Sequence, residues 1–135
     1  MIVDTSALLA YFDNSEPAHE AVAAVIGSSD ELLVVSPYVL AELDYLVLTG
    51  HGPRAEQAVL AELAGGAWDL PVMDRARLTK ALGIVERFAD VPVGVTDASC
   101  VVLAEEYRTR TIVTLDRRHF TILRFRDGRA PHLLP

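Results

Sequence analysis

Four carboxylates in this chain stand where they could act together: Asp4, Glu42, Asp97 and Asp116. Asp4 interrupts the apolar run MIVDTSALL, and Asp116 follows TIVTL. Glu42 lies within SPYVLAELDYLV, among Val39, Leu43 and Leu46 at helical spacing. Asp97 follows Thr96 in VTDASCVVLA. Carboxylates gathered without a cation repel one another, and burying one is costly unless its charge is compensated. Their hard oxygens suit Mg²⁺ or Mn²⁺. A bound divalent ion makes a nucleophile of water and steadies a phosphate, so the chemistry suggested is metal-assisted hydrolysis.

Each acid also has a purely structural reading. Asp4 could cap a Ser6–Tyr11 turn, and Glu42 could lie at the edge of an apolar stripe with Asp44 fully exposed. Asp97 could be a first-turn aspartate favoured by the helix dipole, and Asp116 could open a turn before Arg117-Arg118. Other catalytic chemistries have little support. The single cysteine, Cys100, lies in an apolar helical run and reads as core. It also excludes an intrachain disulfide and a cysteine-based zinc site. His19, His51, His119 and His132 are scattered, and the only one near the four acids, His119, three residues after Asp116, reads as a surface or packing residue. There is no GxxxxGK[ST] loop. A phosphatase of the haloacid-dehalogenase type would want an aspartate where Ser6 stands. A receiver domain would want a late lysine, and the only lysine is Lys80.

The elements that must position these acids are legible as an alternation. Strands are expected at MIVDT, at LLVVS (32–36), at 67–72, at Thr111 to Leu115, and weakly at His132 to Leu134. Helices are expected from a Ser15-Glu16-Pro17 start to Ile26, from Ser36-Pro37 to Gly50, from Pro53 to Leu63, from Asp74 to Phe88, and from a Thr96 cap to Tyr107. That order gives an α/β fold in a single domain over residues 1–135, with a central, mostly parallel sheet of four to five strands flanked by helices. Ligands of such sheets bind beyond the carboxyl ends of the strands, where Asp4 and Asp116 fall.

The 135 residues are 51% hydrophobic and 23% charged, which excludes a disordered or acidic solubilising segment. No apolar run reaches the ~18 residues of a spanning helix, so no membrane association and a cytoplasmic location are expected. The net charge of −7 argues against a simple nucleic-acid binder. It is unevenly spread, however. Residues 1–100 carry 5 basic and 15 acidic side chains, and residues 101–135 carry 7 arginines and 4 acids. Arginine reads phosphate bidentately, so the C-terminal quarter could hold RNA.

Taken in order, MIVDTSALLAYF, SPYVLAELDYLV, VTDASCVVLAEEY and TIVTLDRRHF resemble the PIN domain, and within it the VapC-type ribonuclease toxins of bacterial toxin–antitoxin pairs. The resemblance covers nearly the whole chain. It implies an endoribonuclease dependent on Mg²⁺ or Mn²⁺ that cuts transfer or ribosomal RNA. It implies that Asp4, Glu42, Asp97 and Asp116 are the catalytic acids and metal ligands, with Ser6 lining the site. Arg117 and Arg118, beside Asp116, could steady phosphates. If metal-activated water attacks, the products carry 5′-phosphate and 3′-hydroxyl ends. The resemblance also implies a cognate VapB-like antitoxin, a homodimer, and a heterotetramer or larger assembly with the antitoxin. Tyr11, Phe12, Tyr45 and Trp68 are candidates for exposed interface residues. The alternative is a PIN-like module that binds protein or RNA without cleaving it.

Overall fold

Short runs of Ile, Val and Leu, apolar on both faces, form the strands of a buried parallel sheet. In a computed structural model, which describes residues 1–135, these are β1 (Ile2–Val3), β2 (Leu33–Val34), β3 (Trp68–Asp69), β4 (Thr111–Val113) and β5 (His132–Leu134). Seven helices alternate with them: α1 (Thr5–Phe12), α2 (His19–Gly27), α3 (Pro37–His51), α4 (Pro53–Ala64), α5 (Arg75–Arg87), α6 (Val95–Glu106) and α7 (Arg117–Phe120). The sheet order is β3-β2-β1-β4-β5, and every neighbouring pair is parallel. Ile2 lies opposite Val34 on one side and Ile112 on the other.

From β1 the chain builds outward through β2 to β3, then returns to the far side of β1 for β4 and β5. The direction of winding therefore reverses between β1 and β4. In an open parallel sheet, the crevice at that reversal is where ligands sit. The two central strands deliver Asp4 and Thr114 to it. The Asp4 backbone N–H donates to the Val113 carbonyl at 3.0 Å and locks the two strand ends together.

The core runs through both faces of the sheet, from Leu8 and Leu43 to Leu103, Phe120 and Leu123. Helix α6 is buried continuously from Ala98 to Ala104, and Cys100 is a core residue within it. Helix α5 packs along α6, α4 along α3, and α2 along α1.

Several boundaries differ from the sequence expectation. Ser15 does not start α2: its N–H and hydroxyl both donate to Asp13 Oδ1, at 2.9 and 2.6 Å, and the helix begins at His19. Helix α6 starts one residue before Thr96, with Gly94 as its cap, so Asp97 is its third residue. Only Leu33 and Val34 of 32–36 enter the sheet, and Leu32 is exposed. The turn expected after Asp116 is a four-residue helix anchored by buried Phe120. Ser36 does cap α3, its side chain accepting from the Tyr38 N–H at 3.2 Å.

Candidate active site

The crevice at the carboxyl ends of β1 and β4 is a cleft of about 320 Å³. Asp4, Glu42, Asp97 and Asp116 all line it, together with Thr5, Ser6, Arg118 and His119.

Asp4 is the most buried of the acids, 5% exposed. It occupies the N-cap position of α1, but its side chain makes no capping bond. Its Oδ2 instead accepts from the Thr114 hydroxyl at 2.9 Å and the Ser6 hydroxyl at 3.0 Å. Ser6 Oγ in turn accepts from the backbone N–H groups of Leu115 (2.9 Å) and Asp116 (3.2 Å). This hydroxyl therefore ties the start of α1 to the end of β4. Burial raises the Asp4 carboxyl above its ordinary range. The Thr114, Thr5 backbone and Ser6 hydrogen bonds oppose that rise, and the charge of Asp97 adds to it.

Asp97 is half-buried, and its pKa is also raised, first by burial. A hydrogen bond to His119 counteracts the rise, Asp97 Oδ2 lying 2.7 Å from His119 Nδ1. An ionised carboxylate only accepts, so in this contact His119 donates from Nδ1. The reading of His119 as a surface or packing residue is thus corrected: the four-residue α7 brings it into the cleft. Thr5 and Thr114 were not singled out from sequence either. The signal available was position, since Thr5 follows Asp4 directly and Thr114 closes the other central strand, both as buried hydroxyls.

Glu42 sits differently from the expected apolar stripe. Val39, Leu43 and Val47 form the buried face of α3, while Glu42 is exposed at the rim and Asp44 is half-buried. The desolvation cost inferred for Glu42 therefore does not apply. Its Oε2 accepts from the Thr5 hydroxyl at 2.6 Å, which aims it across the cleft mouth.

Asp116 caps α7 and is held by Arg118. Nε and Nη2 of Arg118 donate to its two oxygens at 2.8 and 2.5 Å, and the Arg118 backbone N–H adds a third bond at 3.2 Å. The Arg118 side chain depresses the Asp116 pKa to about 2. Arg118 is thus engaged with a carboxylate and not free to hold phosphate. Arg117 does not line the cleft: its Nη2 donates to the Pro135 carbonyl.

With each acid engaged in this way, no three Asp, Glu, His or Cys side chains converge tightly enough to chelate one ion. The donor chemistry nevertheless suits a divalent cation. The cleft offers carboxylate oxygens from four segments, and two of those acids are made less acidic by burial and by their neighbours' charge. The other feature expected at the surface, an aromatic patch, is largely internal. Trp68 is buried, and Tyr11 stacks edge-on against both Phe12 and Trp68, with centroids 5.2 and 5.6 Å apart. Tyr45 alone of the four is strongly exposed.

A single α/β domain with an all-parallel sheet in this order and four acids at its reversal point has the carboxylate crevice of the PIN type. Residues 1–125 match the model of the PIN domain family, and the chain belongs to that family. It falls among the VapC ribonucleases within it: it is 61% identical to Ribonuclease VapC26 of Mycobacterium tuberculosis over 124 residues, 92% of each chain. Among solved structures, it is similar to Mycobacterium tuberculosis VapC20, described as a sarcin–ricin loop cleaving toxin. That match has a TM-score of 0.81 and 18% identity over 90% of this chain and 93% of the other. It is also similar to a chain of Rickettsia felis VapBC2 bound to a DNA fragment from its promoter, with a TM-score of 0.71 and 14% identity over 99% and 98%. At these identities the two structures speak to the fold.

No helix of the chain is long and apolar enough to cross a membrane.

Proposed function

We propose that this protein is the toxin of a toxin–antitoxin pair, an endoribonuclease that hydrolyses RNA phosphodiester bonds with the help of Mg²⁺ or Mn²⁺. The observation that carries this reading is the meeting of Asp4, Glu42, Asp97 and Asp116 in one cleft of a chain 61% identical to a VapC ribonuclease. Asp4, Asp97, Asp116 and Glu42 would hold the cation, which when bound supplies charge neutralisation and an acidified water. The protein's own side chains do the rest. Ser6 and Thr114 fix the Asp4 carboxylate, and Thr5 orients Glu42. His119 holds Asp97 through Nδ1. Asp116 must leave Arg118 before it can serve as a ligand, and the freed guanidinium then has donors for a phosphate. The substrate is a structured cellular RNA, transfer or ribosomal.

A VapB-like antitoxin is the proposed partner. An apolar cavity of about 600 Å³ between α1, α2 and α4, lined by Tyr11, Phe12, Ala55, Ala58 and Val59 among others, would take an apolar segment of it. A toxin homodimer, forming a heterotetramer or larger complex with antitoxin, is part of the same proposal.

The binding-module alternative draws support from one observation, the sequestering of Asp116 by Arg118. One experiment separates the two. The chain and its Asp4→Asn variant are expressed in cells, and newly formed RNA 5′ ends are mapped. Discrete 5′-phosphorylated ends found only with the wild type are expected. New 5′-hydroxyl ends, the counterparts of 2′,3′-cyclic phosphates, would overturn attack by water, and no new ends from folded protein would favour the binding module.

A further inference from the structure

Without a cation the carboxylate cleft repels the polyanion it is proposed to cut, and Arg117 and Arg118 are then both bonded to the protein's own oxygens. Uncompensated positive charge lies on another part of the surface. Two cavities of about 310 and 270 Å³ adjoin along the flank of α6 and share Glu105 and Arg126 in their walls. Their cations are Lys80, Arg87, Arg108, Arg110, Arg124 and Arg126. Lys80 and Arg87 come from α5, so the patch is not simply the arginine-rich end of the sequence. Three of the six have carboxylate partners: Lys80 pairs with Glu106, Arg110 with Asp127, and Arg126 with Glu105.

Arg87, Arg108 and Arg124 have none, in a chain whose net charge is −7. Two of these are held in place by neutral oxygens. Arg87 Nη2 donates to the Arg124 carbonyl at 2.6 Å, and its guanidinium lies over the Phe88 ring at 4.8 Å. Arg124 Nη1 donates to the carbonyls of Thr121 and Leu123, at 2.7 Å each. Their direction is fixed while their charge stays uncompensated, which is how an anion site is preorganised.

Arg108 adds an independent observation. It follows the C-cap of α6 with a φ of +55°, in the left-handed region. The Thr109 N–H bonds the Ala104 carbonyl at 3.0 Å, and the Arg108 N–H bonds that of Glu105 at 3.2 Å. This is the Schellman ending of a helix, at the position where glycine is ordinarily favoured. Arginine there carries a backbone strain that glycine would not, and strain kept at one position is a pointer to use.

We propose that the groove between α5 and the segments flanking α6, centred on Arg87, Arg108 and Arg124, binds the phosphodiester backbone of the RNA outside the cleavage site. The inference rests on the ribonuclease reading for its ligand. Helix α6 joins the two regions, with Asp97 in its first turn and Arg108 just past its end. At ~1.5 Å per residue they are about 16 Å apart along the axis. A strand of roughly five nucleotides, at ~3.4 Å of helical rise each, bridges that distance. Substrates longer than this gain affinity from the groove, and shorter ones do not.

The test measures binding of a 12-nucleotide RNA to full-length protein carrying Asp4→Asn, which prevents cleavage, across a salt series. Arg108→Gly is added first, because glycine suits the left-handed position and the variant keeps its fold. Arg87→Gln and Arg124→Gln follow. Each lost phosphate contact should reduce the slope of log K against log salt by about 0.7, so the triple variant should lose about 2 and bind at least tenfold more weakly at low salt. On the otherwise wild-type protein, the triple variant should raise KM for the same RNA about tenfold and leave kcat unchanged. An unchanged slope overturns the proposal, as does a weakened slope with unchanged KM. An unchanged RNA slope accompanied by lost affinity for an Asp/Glu-rich peptide would make the groove a protein site and also overturn it. If the slope falls as expected but the wild type shows no Asp4-dependent cleavage, the groove stands and the ribonuclease reading fails.

Discussion

At the scale of single residues, the cleft is a set of acids each restrained by a different neighbour. Asp4 is the most constrained, and its raised pKa has a measurable sign. Its folded pKa lies above its unfolded one, first through burial. Between those two values the native state binds more protons than the unfolded chain, so this group adds stability as pH falls and removes it as pH rises. In the absence of divalent ions, Asp4→Asn should therefore be at least as stable as wild type at pH 7. Its advantage should shrink as the pH is lowered through the Asp4 pKa. Denaturant titrations from pH 7 to 4 in chelator check this, and a variant less stable at pH 7 would contradict it. His119 acts on Asp97 through one hydrogen bond, in the manner of groups that orient metal ligands. His119→Ala should weaken Mn²⁺ binding and cleavage together by about 10–100-fold. Calorimetric Mn²⁺ titration reads the first effect without turnover. All four acids were legible in the sequence because each stands at the end of a strand or within an early helical turn. Ser6, the near neighbour of Asp4, was legible too, but the partners contributed by distant segments were not: Thr114 for Asp4, Thr5 for Glu42 and His119 for Asp97. The Asp116–Arg118 ion pair is local, but sequence gives no means of choosing between arginine facing a carboxylate and arginine facing a phosphate.

At the scale of elements, the sequence carried the order of strands and helices well and their ends less well. β-branched runs bounded by turns announce β1, β2 and β4, and Ser36-Pro37 announces α3 because side-chain cap and proline fall where a helix start wants them. Ser15 and Thr96 offered the same signal and did not cap. Ser15 is committed to Asp13, and the α6 start is set one residue earlier at Gly94, which has no side chain to read. Glu42 illustrates a related ambiguity: a stripe of Val39, Leu43 and Val47 leaves residues 42 and 46 at its edge, and a helical wheel does not fix which edge faces outward. Ser36 has a second task. Its hydroxyl lies 2.6 Å from that of Ser99, both fully buried, and so stitches the start of α3 to the first turns of α6. Those two helices carry Glu42 and Asp97. Ser36→Ala should cost about 1–2 kcal/mol through the lost cap and the weakened buried pair. Urea unfolding should show that loss with an unchanged m-value.

At the scale of the whole molecule, the proposed functions fall on three surfaces that share no lining residue. The acids gather at the carboxyl ends of the strands, the uncompensated arginines line the flank of α6, and the apolar cavity lies between α1, α2 and α4. The cavity owes its character to an internal aromatic group. Tyr11, Phe12 and Trp68 pack on one another rather than standing free, and Tyr11 and Phe12 offer only part of their surfaces to the cavity wall. Helix α1 links this wall to the cleft, since the helix that begins at Thr5, beside Asp4, ends at Phe12. An apolar segment seated here would lie against the same helix that positions Thr5 and Ser6, within reach of the cleft mouth. Blocking the cavity should therefore separate inhibition from catalysis. Ala58 is exposed on α4 and lines the cavity, so a charged side chain there disturbs no core packing. Ala58→Glu places a carboxylate beside Glu62 in an apolar wall, and a bound apolar segment would have to desolvate it. The variant should cleave RNA as the wild type does and should lose copurification with its antitoxin. If antitoxin still neutralises Ala58→Glu at wild-type stoichiometry, the partner binds elsewhere on the molecule.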